Sequence, residues 1–144
     1  MAIGRQFLRF LVVGGVGFVV DGGLLMVLLN TTRIPVLPAR LLSFSVAVTV
    51  TWLLNRLFTF RHLASGQRLS EWRRYVAVNG VGGAMNLGIF TLLVTVAPSP
   101  VGHPLVAFAI ASAAALFFNF VGSRTFAFRG RPGPGERQDG APPF

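Results

Sequence analysis

The sequence predicts an all-α integral membrane protein with four transmembrane helices, built from two parallel two-helix repeats, with both termini cytoplasmic. Three observations predict it: a charge-poor apolar composition, four apolar runs of membrane-spanning length, and arginines gathered on one side of those runs. Of 144 residues, 53% are hydrophobic and only 12% charged, about half the charged share of a soluble domain. The mean hydropathy is +0.66. Cysteine is absent, which removes disulfide scaffolds, thiolate-ligated zinc and thiol catalysis. An isoelectric point near 12.0 raises nucleic acid as a partner. The 13 basic residues, however, are all Arg and sit at the borders of the apolar runs, so the charge reads as topology and no nucleic acid is expected.

The apolar runs cover approximately 7–29, 38–57, 75–97 and 104–122, each near the 20 residues that a helix needs to cross about 30 Å of hydrocarbon. They lack strict alternation, so helices are favoured over a barrel. The first run follows Arg5 and Arg9 as a signal peptide would, but it is too long, lacks a small-residue cleavage pattern and recurs later in the chain. It is expected to belong to the mature structure. Eleven arginines flank one side (Arg5, Arg9, Arg56, Arg61, Arg68, Arg73, Arg74, Arg124, Arg129, Arg131 and Arg137), and only Arg33 and Arg40 flank the other. The positive-inside rule then puts both termini in the cytoplasm. Trp72 is expected to anchor at the interface, and Ser70 with Glu71 to start the third helix. Residues 1–128 are expected to form the transmembrane domain. Residues 129–144, half Gly and Pro, are expected to be a disordered cytoplasmic tail.

A duplication is visible. RFLVVGGVGFVVDGGLL from Arg9 aligns with RYVAVNGVGGAMNLGIF from Arg74 at an offset of 65, and RLFTFR from Arg56 aligns with RTFAFR from Arg124 at an offset of 68. Nearly equal offsets indicate one two-helix unit occurring twice. An even number of spans returns the chain to its starting side, so the copies are parallel rather than inverted. The one-sided arginines also disfavour a dual-topology dimer of the kind small multidrug pumps form.

Helical spacing puts Phe10, Gly14, Gly17 and Asp21 on one face of the first span and Tyr75, Asn79, Gly82 and Asn86 on the equivalent face of the third. Gly14, Gly15, Gly17, Gly80, Gly82 and Gly83 are expected at close helix contacts. Asp21 lies twelve residues beyond Arg9, about 18 Å along a helix. An aspartate there costs at least about 2.5 kcal/mol and needs a partner, a proton or water. Thr51 and Asn55 are matched by Asn119 and Ser123, each pair one turn apart and leading into an arginine. Arg9, Arg56, Arg74 and Arg124 are therefore expected to ring the cytoplasmic mouth and bind a lipid phosphate, for which guanidinium forks are suited. Snorkelling topology arginines are the plain alternative. Asp21, Asn79, Asn86, Thr51, Asn55, Asn119 and Ser123 are expected to line a polar path through the membrane. Phe58, Phe60, Phe126 and Phe128 read as an interfacial belt, and His103 as a loop residue. Four acids spread thinly assemble no catalytic set and no metal site, so neither enzyme chemistry nor a cofactor is expected.

RFLVVGGVGFVVD, LLNRLFTFR, RRYVAVNGVGGAMN and FFNFVGSRTFAFR, in that order, resemble the GtrA-like family of small four-helix membrane proteins over roughly residues 5–130. The resemblance implies flipping of a sugar carried on a polyprenyl phosphate, such as undecaprenyl phosphate, for cell-surface polysaccharide synthesis, alongside a separate membrane glycosyltransferase. It also supplies an alternative, since a related domain is fused to some polyprenyl-phosphate mannose synthases: a non-transporting anchor or lipid-presenting partner of such an enzyme. Four helices make a narrow bundle, and a homodimer is expected.

Overall fold

The computed structural model describes residues 2–129; the expected tail lies outside them, apart from Arg129. Four long helices run through it: α1 (Ile3–Thr31), α2 (Val36–Leu54), α3 (Arg68–Val96) and α4 (Pro104–Gly122). All four are long and apolar enough to span a membrane, and no strand occurs among the described residues. Helices α2 and α4 each run on into a wider π-helical turn, the first at Asn55–Thr59 and the second at Ser123–Ala127. Helix α1 packs chiefly on α2 and α3 chiefly on α4, while the second π-turn lies against α3 and the first against α1.

The bundle is apolar outside and encloses several polar side chains beside its apolar core. Phe18 is 80% exposed and Phe117 65%, whereas Gln6, Glu71, Asn55, Thr59, Ser43 and Ser123 are fully buried. That distribution suits lipid, where apolar burial drives nothing and helices associate through close packing and hydrogen bonds. Two of the expected glycines give close packing, and Gly122 of α4 adds a third close contact, with Val78 of α3. A methyl group added at Gly17 would overlap Thr51 Cγ2 on α2, and one at Gly82 would overlap the Asn119 side chain on α4. Gly14, Gly15, Gly80 and Gly83 face open space within the described chain, so of the six glycines expected at close contacts only these two occupy them.

The π-turns explain a second departure from expectation. In a regular helix Asn55 and Phe60 would point about 140° apart, at 100° per residue. The Phe60 N–H instead reaches back to Asn55 O at 2.7 Å, and the Phe128 N–H to Ser123 O at 2.9 Å. Each wide turn brings both of its ends inward. Phe60 and Phe128 are thus fully buried, stacked with ring centres 4.9 Å apart and surrounded by Phe10, Tyr75 and Phe120. The expected belt is therefore split: Phe58 and Phe126 are exposed, and Phe60 and Phe128 form the core.

Helices α1 and α3 also begin earlier than the apolar runs. The third run starts at 75, but α3 starts at Arg68, after Gln67, and Ser70 is inside the helix rather than capping it. Hydropathy misses this extension because its inward face is polar: Glu71 is fully buried. Trp72 does not simply anchor at a surface, since its Nε1–H donates to Thr49 Oγ1 on α2 at 3.2 Å.

Gly17→Ala and Gly82→Ala should each destabilise the protein by about 1–3 kcal/mol, the usual result of overpacking. Gly15→Ala and Gly80→Ala should be neutral or slightly stabilising, because a helical alanine is favoured over glycine by about 1 kcal/mol. Thermal unfolding in detergent, followed by tryptophan fluorescence, checks the contrast; equal effects at all four sites would refute the close approach.

Candidate functional site

The side chains with chemical potential gather at the end of the bundle where α1 and α3 begin and both π-turns finish. Three features organise it, two of them enclosed polar contacts and the third an open groove.

The first is a buried ion pair. Glu71, on the first turn of α3, is 0% exposed and its carboxylate is met by four donors. Oε1 accepts from Arg56 Nη1 at 2.5 Å and Trp52 Nε1 at 3.2 Å. Oε2 accepts from the Ser65 N–H at 2.9 Å and its hydroxyl at 3.2 Å. Arg56 spends a second nitrogen on Ser65 O at 2.7 Å and packs over the Trp52 ring. A charge so enclosed is tolerated only with its lone pairs satisfied, and here they are.

The second contact repeats the first at the same offsets. Arg124 is the repeat counterpart of Arg56, and Gln6 is that of Glu71. Arg124 Nε donates to Gln6 Oε1 at 3.0 Å. The Gln6 amide nitrogen in turn meets His62 Nε2 at 2.9 Å. Each π-turn arginine therefore reaches the first turn of a helix from the other half of the chain.

The third feature is a groove of about 970 Å³ between α1 and the end of α2. Arg5, Arg9, Arg61 and His62 stand at its mouth, and Leu8, Val12, Val13, Val16, Leu54, Leu57 and Phe58 form its apolar walls. Arg9 is held there by one bond, Nη1 to Phe58 O at 3.0 Å. Thr59 also lines it, with a fully buried hydroxyl that has no hydrogen-bond partner among the described residues. A smaller hollow of about 340 Å³, lined by Ser70, Arg73, Arg74, Ala77 and Phe126, occupies the corresponding place on α3.

The four arginines expected to ring one mouth are thus divided. Arg9 lines the large groove and Arg74 the small hollow, while Arg56 and Arg124 turn inward to Glu71 and Gln6. Of the residues expected along a polar path, Thr51, Asn55 and Asn79 gather about the Tyr75 side chain, and the others lie in separate contacts. Asn55 donates to Tyr75 Oη at 2.9 Å, Asn79 to its own helix at Tyr75 O at 2.9 Å, and Thr51 to Val48 O at 3.0 Å. Asn86 meets Ser112 Oγ at 3.4 Å. Asn55 Oδ1, Asn119 Oδ1 and Ser123 Oγ are buried with no hydrogen-bond partner among the described residues. Asp21 lies toward the other end, paired with Arg40 Nη1 at 2.7 Å and Ser43 Oγ at 2.7 Å.

Sequence reasoning passed over Arg5, Arg61, His62 and Thr59 as groove residues, and Glu71 and Gln6 as partners of the inward arginines. The duplication carried a signal for the last two, because the alignment of Arg9 with Arg74, extended toward the N-terminus by one turn, pairs Gln6 with Glu71. The groove had none, since it depends on the π-turn that aims Arg61 outward.

Removing one partner of a buried pair is costly because the other charge is left enclosed, by about 3–5 kcal/mol. Glu71→Ala and Arg56→Ala should each fall in that range. Arg124→Ala, which strands only an amide, should cost about 1–3 kcal/mol. Thermal midpoints and monodispersity in detergent test the order; an Arg124 effect equal to that of Arg56 would overturn it.

Residues 9–128 match the family model described as GtrA/DPMS, transmembrane domain, so the chain belongs to the GtrA/DPMS transmembrane-domain family.

Proposed function

We propose that the protein moves a polyprenyl-phosphate-linked sugar across the cytoplasmic membrane, from the cytoplasmic to the outer leaflet, for cell-surface polysaccharide synthesis or glycosylation. The observation that carries this reading is the groove. A lipid phosphate has one anionic end and a long apolar tail, and the groove offers guanidinium groups at its mouth and apolar walls below. Basic pockets between spanning helices suit phosphate headgroups for this reason. Three arginines supply the charge, and the tail can stay in lipid. Membership of the GtrA/DPMS family supports a role connected with polysaccharide or glycosylation-related sugar transfer.

The rest of the reading follows from charge and geometry. The arginine-rich end faces the cytoplasm, as the positive-inside rule requires, so both termini are cytoplasmic and the groove opens where the lipid-linked sugar is made. The protein is not itself an enzyme. It works beside a membrane glycosyltransferase, as a homodimer and without nucleic acid. Its framework is two parallel two-helix units. The matched contacts of Gly17 and Gly82, of Phe60 and Phe128, and of Arg56 and Arg124 support that origin.

Because Arg56 is enclosed with Glu71, a transport defect on replacing it would report a lost fold. Groove residues make the cleaner test. In proteoliposomes the purified protein should move a polyprenyl-phosphate sugar between leaflets. Arg9→Gln with Arg61→Gln should slow it about tenfold, the scale of losing one charge-assisted contact, at an unchanged thermal midpoint. Absence of movement, with loss of glycosyltransferase activity when the protein is deleted, would replace transport by the anchor or lipid-presenting role.

A further inference from the structure

The pair formed by Asp21 and Arg40 lies on the same seam between α1 and α2 as the groove, toward its other end. On α1, Val13 lines the groove, Gly17 meets Thr51 of α2, and Asp21 follows one turn later. On α2, Leu54 lines the groove and Arg40 precedes it by fourteen residues. That is about 21 Å along the helix and within about 40° of the same face.

The pair is built unevenly. Both Asp21 oxygens are engaged, one by Arg40 and one by the buried hydroxyl of Ser43, and the carboxylate is 16% exposed. Arg40 uses a single Nη1 bond and is 51% exposed, so the rest of its fork faces outward, beside Val36, Leu37 and Phe44, which are exposed at neighbouring helical positions. Helix packing does not demand such an arrangement. The repeat counterpart of Asp21 is Asn86, which meets only Ser112, and the counterpart of Arg40 is Phe108. The α3–α4 pair is therefore joined by an uncharged contact. An ion pair near the outer border of the spans, which the α3–α4 pair does without, is a candidate functional position.

We infer that Arg40, held by Asp21, is a second and weaker site for the phosphate of a lipid headgroup, at the far end of the seam that begins in the groove. This rests on the groove reading above. The mouth concentrates three arginines and loads the headgroup. Arg40, its charge offset by a carboxylate, holds the phosphate loosely enough to release it. A headgroup moving along the seam exchanges guanidinium partners while its tail stays in lipid. Free phosphate shares the headgroup chemistry, but the outward fork sits among apolar side chains, which favours the lipid.

The test is binding of a radiolabelled polyprenyl phosphate to the whole protein in phosphatidylcholine nanodiscs. Two sites of different affinity are expected. Arg9→Gln with Arg61→Gln should remove the tighter site and Arg40→Gln the weaker one. Asp21→Asn, which frees Arg40 from its counter-ion, should tighten the weaker site about fivefold, the worth of a partly exposed ion pair, and slow transfer between leaflets. Inorganic phosphate at millimolar concentration should not compete. A single site insensitive to Arg40→Gln overturns the inference. So does competition by inorganic phosphate, or a folded Asp21→Asn/Arg40→Gln double variant that transfers at the wild-type rate, which would make the pair a helix clamp. Loss of the tighter site's dependence on Arg9 and Arg61 counts against the groove reading instead, and leaves the weaker site to be judged on Arg40 alone.

Discussion

A fully enclosed carboxylate dictates the arrangement of the arginine-rich end. Away from water, the Glu71 carboxylate oxygens need donors around them, and these come from α2 through Trp52, from the first π-turn through Arg56 and from the following loop through Ser65. Three stretches of chain are thereby fixed against the first turn of α3. Charge-assisted hydrogen bonds of this kind are about twice as strong as neutral ones and more directional, so they set position as well as energy. With Arg56 drawn inward, Phe58 and Arg61 face the outside and bound the groove. The open site is in this sense a by-product of the closed one.

The wide turns are the second half of that arrangement. Arg56 must reach Glu71 while Asn55, Thr59 and Phe60 are also buried, and a regular helical turn cannot put all of them inward. The extra residue in the turn resolves the conflict, and π-turns are often found where function constrains a helix. Phe60 and Phe128 then meet between the two halves, their rings 4.9 Å apart and tilted by 31°. Aromatic stacking closes the centre and polar contacts close the rim.

How much of this was legible depended on what lipid demands of a sequence. The four helices were plain, because crossing hydrocarbon requires long apolar runs and leaves little choice of conformation. Their ends were not. The start of α3 is polar and arginine-flanked, so it reads as loop, although Glu71 makes it a core element. The belt reading gave Phe58 and Phe60 the same surroundings, and the fold separates them, one exposed and one buried. Of the arginines expected to bind phosphate, Arg9 and Arg56 look alike in sequence and differ in structure. One keeps donors free at a groove and the other spends them on a buried acid.

Positions related by the offsets of 65 and 68 provide an internal comparison within one chain. Features present at both members of a pair are those that packing needs: the close glycines Gly17 and Gly82, the inward arginines Arg56 and Arg124, the two wide turns and the stacked phenylalanines. Features present at one member only are free of that requirement. The large cationic groove has only a shallow counterpart at Arg74, and the pair of Asp21 and Arg40 is answered by Asn86 and Phe108. Both differences fall on the α1–α2 seam. If duplication supplies the frame, divergence supplies the chemistry, and it does so in the half with open guanidinium groups at one end and a counter-ioned one at the other.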